Sequence, residues 1–426
     1  MELLDRLTLD DAWSEYLAFK TEQATMPKDE LKELTEFVQE KKYRPVVERI
    51  LSTYELSTPV LNEVNKIGTT KKRKVFVFTR EENFVLKMLS YLLRDYDCLF
   101  DDNLYSFRAN RGVKKGIRSI MRTTNMSDTY TYKVDIHNYF NSVETEPMLD
   151  LIREKMPEEK KFLRLFENVL RDPYVMIDGV KSEAQKGIMA GMPVSGFFAN
   201  LYLAEMDHYF WENKISYIRY SDDVIVFGKT EEEIKEYEKI INDTLYRKGL
   251  EINEKKVIRT KPGEKIELLG FEFLRHDINL AEISVQKMKG KLHRRARSIY
   301  RWRIRKGVPG EKAVKAYTKF LNRKFYDNHV RGEITWARWY FPLITQDTRL
   351  KEIDDYALSC IRYINTGRYS KKNFNLRYKR IKELGFRGLV NSYWKFRNGT
   401  YDKDELAGRK ETAKAPVAEA APAAKS

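Results

Sequence analysis

The stretch IRYSDDVIVFG, residues 218–228, places two adjacent carboxylates between two apolar segments rich in β-branched residues. The apolar segments are typical of strands and the polar centre is typical of a turn, so the pattern predicts a β-hairpin with Asp222 and Asp223 at its tip. Asp is common in turns because its side chain bonds to nearby backbone, so the pair alone indicates only a turn. The alternative, a divalent metal site, requires a third carboxylate elsewhere in the chain.

A third carboxylate is present in KVDIHNYFNSV, residues 133–143, where a predicted strand ends at Asp135. Asp135 precedes Asp222 by 87 residues, an interval that holds a predicted helix, a glycine-containing loop and a second helix. Mg²⁺ prefers carboxylate oxygens together with water and substrate phosphates. Two such ions can stabilise both the attacking and the leaving oxygen of a phosphoryl displacement. Together, but not singly, the three aspartates predict a two-metal site.

The composition excludes several classes of protein. The chain has 426 residues and a formal net charge of +16, which favours polyanionic partners. Cys98 and Cys360 lie too far apart in sequence for a Cys-ligated zinc module, and so few cysteines favour a reducing compartment. The N-terminal residues lack a signal-peptide pattern, and no apolar run reaches the roughly 18 residues of a membrane span. A soluble cytoplasmic protein without membrane attachment is predicted.

Basic residues are concentrated in the C-terminal third of the chain. Residues 284–340 contain 17 Lys and Arg against three acidic residues, and residues 367–397 contain ten against Glu383 alone. Most charge runs are solvated helix faces, but aromatic residues such as Trp302 and Tyr317 are interleaved here. This pattern indicates a catalytic core followed by a nucleic-acid-binding region.

Five segments, in sequence order, resemble motifs of the reverse transcriptases. YSFRANRG (105–112) resembles the fingers motif tyrosine-glycine-phenylalanine-arginine, KVDIHNYFNSV the first catalytic motif, and YSDD (220–223) the tyrosine-x-Asp-Asp motif. GLEINEKKV (249–257) resembles the lysine-bearing motif and LLGFEF (268–273) the primer-grip turn. An RNA-dependent RNA polymerase would more usually have Gly-Asp-Asp at the hairpin. The resemblance spans about residues 60 to 340 and implies RNA-templated DNA synthesis from deoxynucleoside triphosphates.

The resemblance assigns roles residue by residue. Asp135, Asp222 and Asp223 would bind two Mg²⁺ ions, with Mn²⁺ as an alternative, and the backbone carbonyl of Ile136 would complete one coordination shell. Lys256 would protonate the leaving pyrophosphate. The remaining candidates for contact with the incoming nucleotide are Lys71, Lys72, Arg73, Arg80, Ala190 and Gly191, and those for contact with primer or template are Tyr220, Ser221, Gly270, Arg294, Arg295 and Arg297.

Phe140 falls where this family has its steric gate against the sugar 2′-hydroxyl. Adjacent residues on an extended stretch point in opposite directions. We therefore expect Phe140 to lie under the sugar of the incoming nucleotide and its neighbour Tyr139 to pack in the core. Bulky aromatics next to each other are also common as plain packing residues.

The segment GIMAG, residues 187–191, departs from the family pattern glycine-x-proline-glutamine-glycine. Both glycines are kept, as are the later Ser195 and Asn200, so close approach of the backbone to the nucleotide is still expected. The family's glutamine normally touches the incoming nucleotide, and Ala190 cannot donate a side-chain hydrogen bond. Sugar contact, fidelity or substrate preference is therefore expected to differ.

The alternation of long helices with short strands predicts an α+β fold, and the resemblance implies a right-hand polymerase with fingers, palm and a basic helical thumb. Helical periodicity in the N-terminal region ends near Pro45, and GLEINEKKV and residues 266–273 are predicted as strands. The predicted divisions are an N-terminal helical region (1–60), fingers and palm (61–283), the basic thumb (284–345), a C-terminal helical region (346–406) and a disordered Ala- and Pro-rich tail (407–426).

The compact layout and the basic segment IKELGFRGLVNSYWKF are most similar to bacterial stand-alone reverse transcriptases. Among these, the defence-associated enzymes of the unknown groups, type 2-like, imply a dedicated non-coding RNA as template, a cDNA product and a role against phage. Retron-, diversity-generating- and intron-type enzymes are the alternatives, as is a maturase-like RNA-binding protein without polymerase activity. RNA, DNA and a protein hydroxyl are all compatible primers.

Overall fold

The computed structural model describes residues 1–23, 26–65, 72–326, 335–369 and 376–400. The chain forms two compact units, Met1–Lys291 with Leu343–Arg349 and Leu292–Pro342 with Leu350–Ser426. None of the helices in the described ranges is both long and apolar enough to span a membrane. The predicted disordered tail and Lys71 lie outside the described residues.

Two helices of the first unit begin at a capping threonine and have acidic residues in their first turn. Thr79 and Thr230 each accept a hydrogen bond from a backbone N–H of the following helix, the usual role of an N-cap threonine. The helices are α1 (Leu3–Arg6), α2 (Asp10–Gln23), α3 (Lys28–Gln39), α4 (Tyr43–Thr53), α5 (Arg80–Leu92), α6 (Val113–Thr123), α7 (Tyr139–Ser142), α8 (Thr145–Lys155), α9 (Lys160–Arg171), α10 (Ser195–Tyr202), α11 (Ala204–Glu212) and α12 (Glu231–Arg247), with 3₁₀ turns at Leu93–Leu99 and Glu254–Lys256.

The strands in the described residues of the first unit are β1 (Val60–Asn65), β2 (Lys72–Val77), β3 (Tyr130–Asp135), β4 (Tyr174–Ile177), β5 (Val180–Glu183), β6 (Tyr217–Tyr220), β7 (Asp223–Gly228), β8 (Ile258–Thr260), β9 (Ile266–Leu268), β10 (Phe271–Leu274) and β11 (Asp277–Leu280). These strands form three sheets, with the orders β2-β1-β4-β5, β6-β7-β3-β8 and β9-β10-β11. Each pair of neighbouring strands among them is antiparallel except β1–β4.

The sheet β6-β7-β3-β8 carries the predicted hairpin, and its apolar residues lie in the main core. Tyr132 and Val134 of β3 and Val224 and Val226 of β7 are fully buried, and α12 packs on both strands. Full burial of one such side chain contributes about 1.5–3 kcal/mol. The apolar segments beside the aspartates therefore fix the hairpin in the core, as the sequence predicted.

Three local predictions were wrong. Pro45 does not end the N-terminal helices, because it lies in the first turn of α4, where no backbone N–H is needed. GLEINEKKV is not a strand: it contributes one isolated bridge, between Ile252 and Ile136, and then a 3₁₀ turn. The second helix predicted between Asp135 and Asp222 is divided into α10 and α11 at Leu203, which has a φ of −115°.

The hairpin β4–β5 was not predicted, although the sequence contains its signal. Asp178 and Gly179 join the two strands, and both have positive φ values, 49° and 83°. An Asp-Gly pair with positive φ at both positions is favoured in two-residue hairpins because the turn matches the twist of the strands. The Asp-Gly pair thus indicates the turn without any tertiary information.

The second unit is helical in its described residues. Asp354 accepts hydrogen bonds from Leu389 N and Val390 N (2.8 and 3.0 Å) at the start of its last helix, and Arg303 Nη1 donates to the carbonyl of Ile364 (3.1 Å). Its helices are α13 (Glu282–Lys306), which starts in the first unit, α14 (Gly310–Phe325), α15 (Trp336–Tyr340), α16 (Thr348–Thr366), α17 (Tyr378–Glu383) and α18 (Leu389–Arg397).

Candidate active site

The three predicted aspartates lie together at the adjoining ends of β3 and β7. The antiparallel register pairs Asp135 with Asp223, and Ile136 N donates to the backbone carbonyl of Asp222 (3.0 Å). Tyr220 pairs with Asp223 on the other side, across the hairpin. Strand pairing thus brings together carboxylates that are far apart in sequence.

The electrostatics of Asp222 reflect this crowding. Burial, followed by the neighbouring charges of Asp135 and Asp223, raises the pKa of Asp222 above its ordinary value, whereas Arg73 opposes the rise. A carboxylate disfavoured by burial and like charges is stabilised by any cation that comes close to it. The site therefore favours a bound cation.

Two lysines already contact the other carboxylates. Lys256 Nζ lies 2.7 Å from Asp135 Oδ1, and Lys133 Nζ lies 3.3 Å from Asp223 Oδ1. Lys256 was predicted at the site and Lys133 was not. The signal for Lys133 is its position two residues before Asp135, because alternate residues of a strand share a face.

The donor set fits Mg²⁺. Within the described ranges, no group of three or more His, Cys, Asp or Glu side chains is arranged so that it could hold a metal ion. Mg²⁺ does not need such a group, since it usually keeps several waters and is bound by one or two carboxylates plus substrate phosphates. The oxygen ligands available are the side chains of Asp135, Asp222 and Asp223 and the predicted carbonyl of Ile136.

The turn of the β6–β7 hairpin, residues 221–222, is held in an unusual backbone conformation. Ser221, at its first position, has a φ of +61°, a region that non-glycine residues rarely adopt. Its N–H donates to Ser106 Oγ (2.8 Å), and its carbonyl accepts from Arg219 Nη1 (3.4 Å). These contacts stabilise the turn that carries Asp222.

Arg219 and Asp207 form a buried ion pair beneath this turn. Arg219 Nε lies 2.8 Å from Asp207 Oδ1 and Nη2 lies 2.5 Å from Oδ2, and Tyr217 Oη donates to Asp207 Oδ1 (2.9 Å). Nη2 also donates to the carbonyl of Asn200 on α10 (3.0 Å). Burial lowers the pKa of Arg219, but the Asp207 carboxylate more than offsets this, so the pKa is raised and the guanidinium stays charged. An arginine inside an apolar strand indicates from sequence that it has a buried hydrogen-bonding partner. It does not indicate which residue that partner is.

The loop 187–191 lies directly against Phe140. Ile188 N donates to the Phe140 carbonyl (2.8 Å). Gly187 has a φ of +51°, and a Cβ there would lie 2.4 Å from the same carbonyl oxygen. Only glycine permits both that conformation and that approach, so the first glycine of the segment is required by packing.

The same loop has a backbone conformation that proline cannot adopt. Met189 has a φ of +57°, whereas the proline ring fixes φ near −65°. Ala190 O accepts from Phe76 N of β2 (2.8 Å), and a Cβ on Gly191 would lie 3.0 Å from the Phe76 carbonyl. The departure from the family pattern is therefore a change of backbone as well as of side chains.

The side chains of Phe140 and Tyr139 differ in burial, as predicted, but the reason differs from the one that the sequence suggested. They lie in the short helix α7 and not on an extended stretch, so the argument from strand alternation was wrong. Tyr139 is buried and its Oη donates to the carbonyl of Ala199 (2.6 Å). Phe140 is half-buried. A helical turn also separates neighbouring side chains, by about 100° per residue.

The basic candidates for triphosphate contact have different surroundings. Arg73 on β2 is close enough to Asp222 to influence its pKa. Lys72 Nζ instead pairs with Glu63 across the β1–β2 hairpin (2.8 Å). Arg80 pairs with Glu33 of α3 through Nε (2.7 Å). Of these described candidates, Arg73 is thus the one that acts on the charge of Asp222.

The candidates for primer and template contact lie in both units. Gly270 (φ 88°) forms the turn between β9 and β10, and its carbonyl accepts from Ala281 N (3.0 Å). Arg294, Arg295 and Arg297 are exposed residues of α13 in the second unit. Their contact with nucleic acid stays a prediction.

Asn253 is a further site residue that the sequence did not single out. Its N–H donates to the Asp135 carbonyl (2.8 Å) and its Nδ2 to Asp135 Oδ2 (3.4 Å). It precedes Lys256 by three residues, so the 3₁₀ turn at Glu254–Lys256 brings both side chains to the same carboxylate. The sequence could have indicated Asn253 through its position within the lysine-bearing motif, close to Lys256.

Residues 64–273 match the protein family described as reverse transcriptase (RNA-dependent DNA polymerase). This chain contains a reverse transcriptase domain. The domain includes all three aspartates, loop 187–191 and Lys256. The predicted α+β polymerase fold is confirmed.

The reverse transcriptase domain also has more distant relatives. An "Uncharacterized 91 kDa protein in cob intron" of Schizosaccharomyces pombe is 26% identical over 139 residues, which are 32% of this chain and 17% of that protein. The apo telomerase of Candida tropicalis matches with a TM-score of 0.47 and 11% identity over 84% of this chain and 63% of the telomerase chain. Telomerase of Candida albicans, solved with a TWJ fragment of telomeric RNA, matches with a TM-score of 0.44 and 10% identity over 85% of this chain and 70% of the telomerase chain. The chain thus spans about a sixth of the length of the curated relative.

Proposed function

We propose that this chain is an RNA-templated DNA polymerase that adds deoxynucleotides to a primer by phosphoryl transfer. The observation that carries the proposal is the register that pairs Asp135 with Asp223 beside Asp222, inside a segment that matches the reverse transcriptases. An incoming triphosphate brings the phosphate oxygens that complete a magnesium shell begun by carboxylates.

The carboxylates of Asp135, Asp222 and Asp223 would hold two Mg²⁺ ions, with Mn²⁺ as the alternative. When bound, the ions stabilise charge on the attacking and leaving oxygens. The buried Arg219 and the hydroxyl of Ser106 keep the turn that carries Asp222 in place before substrate arrives. Such pre-arranged charges lower the barrier because they need no rearrangement during the reaction.

The chain's own cations would act on the triphosphate. Arg73 would neutralise phosphate charge near Asp222, and Lys72 would do so after leaving Glu63, an exposed pair of small energetic value. Lys256 has three N–H donors, so it can contact Asp135 and still present a proton to the leaving pyrophosphate. The roles assigned to Lys71 and Arg80 remain predictions.

Primer extension on an RNA template tests the proposal. Asp222→Asn and Asp223→Asn each remove a charged ligand, so we expect at least a hundredfold loss of synthesis, as for loss of one transition-state-stabilising group, with RNA binding retained. Asp243→Asn, at an exposed position of α12, is the matched control. Wild-type synthesis by the Asp222→Asn variant would contradict the proposal. No synthesis by the wild type with its native RNA would favour a maturase-like binding protein.

We also propose a biological setting, antiviral defence in the cytoplasm with a dedicated non-coding RNA as template. It rests on the resemblance of the compact layout and the basic C-terminal segment to bacterial stand-alone reverse transcriptases, among which the defence-associated enzymes are the most similar. An intron-type enzyme is the second candidate, favoured by the similarity to a protein in a cob intron. Sequencing the RNA and cDNA that co-purify with the protein separates the two. A discrete non-coding RNA supports the first candidate, and intron RNA supports the second.

A further inference from the structure

Phe107 has a combination of properties that packing alone does not explain. It has a φ of +52°, a conformation in which a bulky residue is a genuine outlier. Its large apolar side chain is nevertheless 58% exposed. Backbone outliers of this kind persist only where the surroundings impose them, and they cluster at functional sites.

The residues on both sides of Phe107 impose its conformation. Ser106 is fully buried, and its Oγ and carbonyl bond to the Asn200 amide (3.1 and 2.8 Å). Arg108 pairs with Asp97 through Nε (2.8 Å) and Nη2 (2.9 Å). Because both neighbours are anchored inward, the chain between them directs the Phe107 ring outward.

The outward ring lies between α10 and Phe140. A Cβ on Gly196, in the first turn of α10, would lie 2.6 Å from Phe107 Cγ, so the ring rests on bare helix backbone. On its other side it meets the Phe140 ring edge-on, with centroids 5.9 Å apart and an interplanar angle of 88°. Edge-to-face contact is a favoured aromatic geometry.

We propose that Phe107 is a positioning residue for sugar selection, which supports the Phe140 ring from the side of α10. The inference rests on the proposed polymerase function and on the role of Phe140 as steric gate. Phe140 is only half-buried, and a gate ring that can turn aside does not exclude a 2′-hydroxyl. Phe107 limits that movement, so selectivity depends on two aromatic rings from segments over thirty residues apart.

The test measures kcat and KM for a deoxynucleotide and the matching ribonucleotide, with the full chain on an RNA template. We expect Phe107→Ala to reduce the preference for the deoxynucleotide by about five- to tenfold, the value of one aromatic contact. The change should come mainly from a lower KM for the ribonucleotide. Tyr246→Ala, which removes an aromatic ring that is 85% exposed on α12, is the control and should leave the preference unchanged.

A double-mutant cycle separates support of Phe140 from an independent effect. In a Phe140→Ala background, Phe107→Ala should cause no further loss, because the ring that it supports is absent. Additive losses would overturn the proposal, and so would a wild-type preference in Phe107→Ala. The proposal would also be overturned if Phe107→Ala changed the preference for the deoxynucleotide and Phe140→Ala did not.

Gly196→Ala tests the same contact without removing the ring. The added methyl would displace Phe107 from α10, so we expect a reduced preference when Phe107 is present and no effect when it is alanine. An effect of Gly196→Ala that is the same in both backgrounds would count against the proposal. Absence of all template-directed synthesis in the wild type would instead overturn the proposed function, and that result is distinct from an unchanged sugar preference.

Discussion

Charge is used differently beneath the turn of the β6–β7 hairpin and on helix α13. Beneath the turn, Arg219 and Asp207 are buried and paired, and each has further hydrogen bonds to fixed partners. On α13, Arg294, Arg295 and Arg297 are exposed to solvent. The first arrangement fixes the position of a backbone turn, whereas the second supplies charge without fixing geometry.

The difference separates charges that hold the backbone in place through hydrogen bonds from charges that only contribute to the electrostatic potential of the surface. A buried charge that loses its partner is left unsolvated, which costs several kcal/mol. An exposed charge has water as a substitute partner, so its removal changes stability little. Predictions about the two regions should therefore differ in kind as well as in size.

The largest expected effect is that of Arg219→Met. The variant leaves the Asp207 carboxylate buried without a counter-charge, so we expect the free energy of unfolding to fall by about 3–5 kcal/mol. Denaturant titration measures this, and Arg219→Met combined with Asp207→Asn should recover part of the loss. A cost below about 1 kcal/mol would mean that the Arg219–Asp207 pair contributes no more than an exposed salt bridge. The contrast between the two regions would then not hold.

Asp354 sharpens the contrast because it is a half-buried carboxylate of the second unit that is hydrogen-bonded to backbone N–H groups. Burial raises the pKa of Asp354 from 3.8 to about 6, while those hydrogen bonds oppose the rise. Because the folded pKa exceeds the unfolded one, protonation favours the folded state. Its contribution to stability is full below pH 3.8 and is lost as the pH rises to about 6, a loss on the order of 3 kcal/mol.

Comparison with Asp354→Asn isolates that contribution. We expect the difference in free energy of unfolding between wild type and variant to change between about pH 4 and pH 6. The wild type should become less stable relative to the variant as the pH rises. The two backbone N–H groups bond to different oxygens of Asp354, and Asn keeps only one acceptor oxygen, so the variant also has a loss of stability that does not depend on pH. A difference that stays constant over this range would show that Asp354 does not titrate with folding.

The smallest effect on stability is expected for Arg294→Gln, Arg295→Gln and Arg297→Gln together. Stability should change by less than about 0.5 kcal/mol per substitution. The dependence of log affinity on log salt should become shallower, by roughly 0.7 per lost phosphate contact on single strands or 0.9 on B-form DNA. The control is a triple variant that removes the same number of positive charges elsewhere, Lys229→Gln, Lys235→Gln and Lys239→Gln. An equal slope in the two triple variants would mean that α13 contributes only net charge.

Sequence reasoning succeeded where a short local pattern determines the structure. The hairpin at 218–228 and the strand ending at Asp135 follow from apolar patterning, and their convergence follows from the chemistry that three carboxylates require. Arg219–Asp207 and the contact of Phe107 with Phe140 could not be predicted, because each joins segments whose relative position depends on the whole packed core. GLEINEKKV failed because it alternates like a strand, yet its Asn253 bonds to Asp135 and ends the pairing.

The position of β3 inside its sheet has a consequence for biosynthesis. β3 lies between β7 and β8, and both are made later than β3 during translation. Chains emerge from the ribosome at about 5–20 residues per second, so β3 has both edges unpaired for several seconds. Only when residues 223–260 have emerged can Asp135 meet Asp223 and Lys256. In a nascent chain the three aspartates are therefore not assembled until then, and its unpaired strand is a candidate binding site for chaperones.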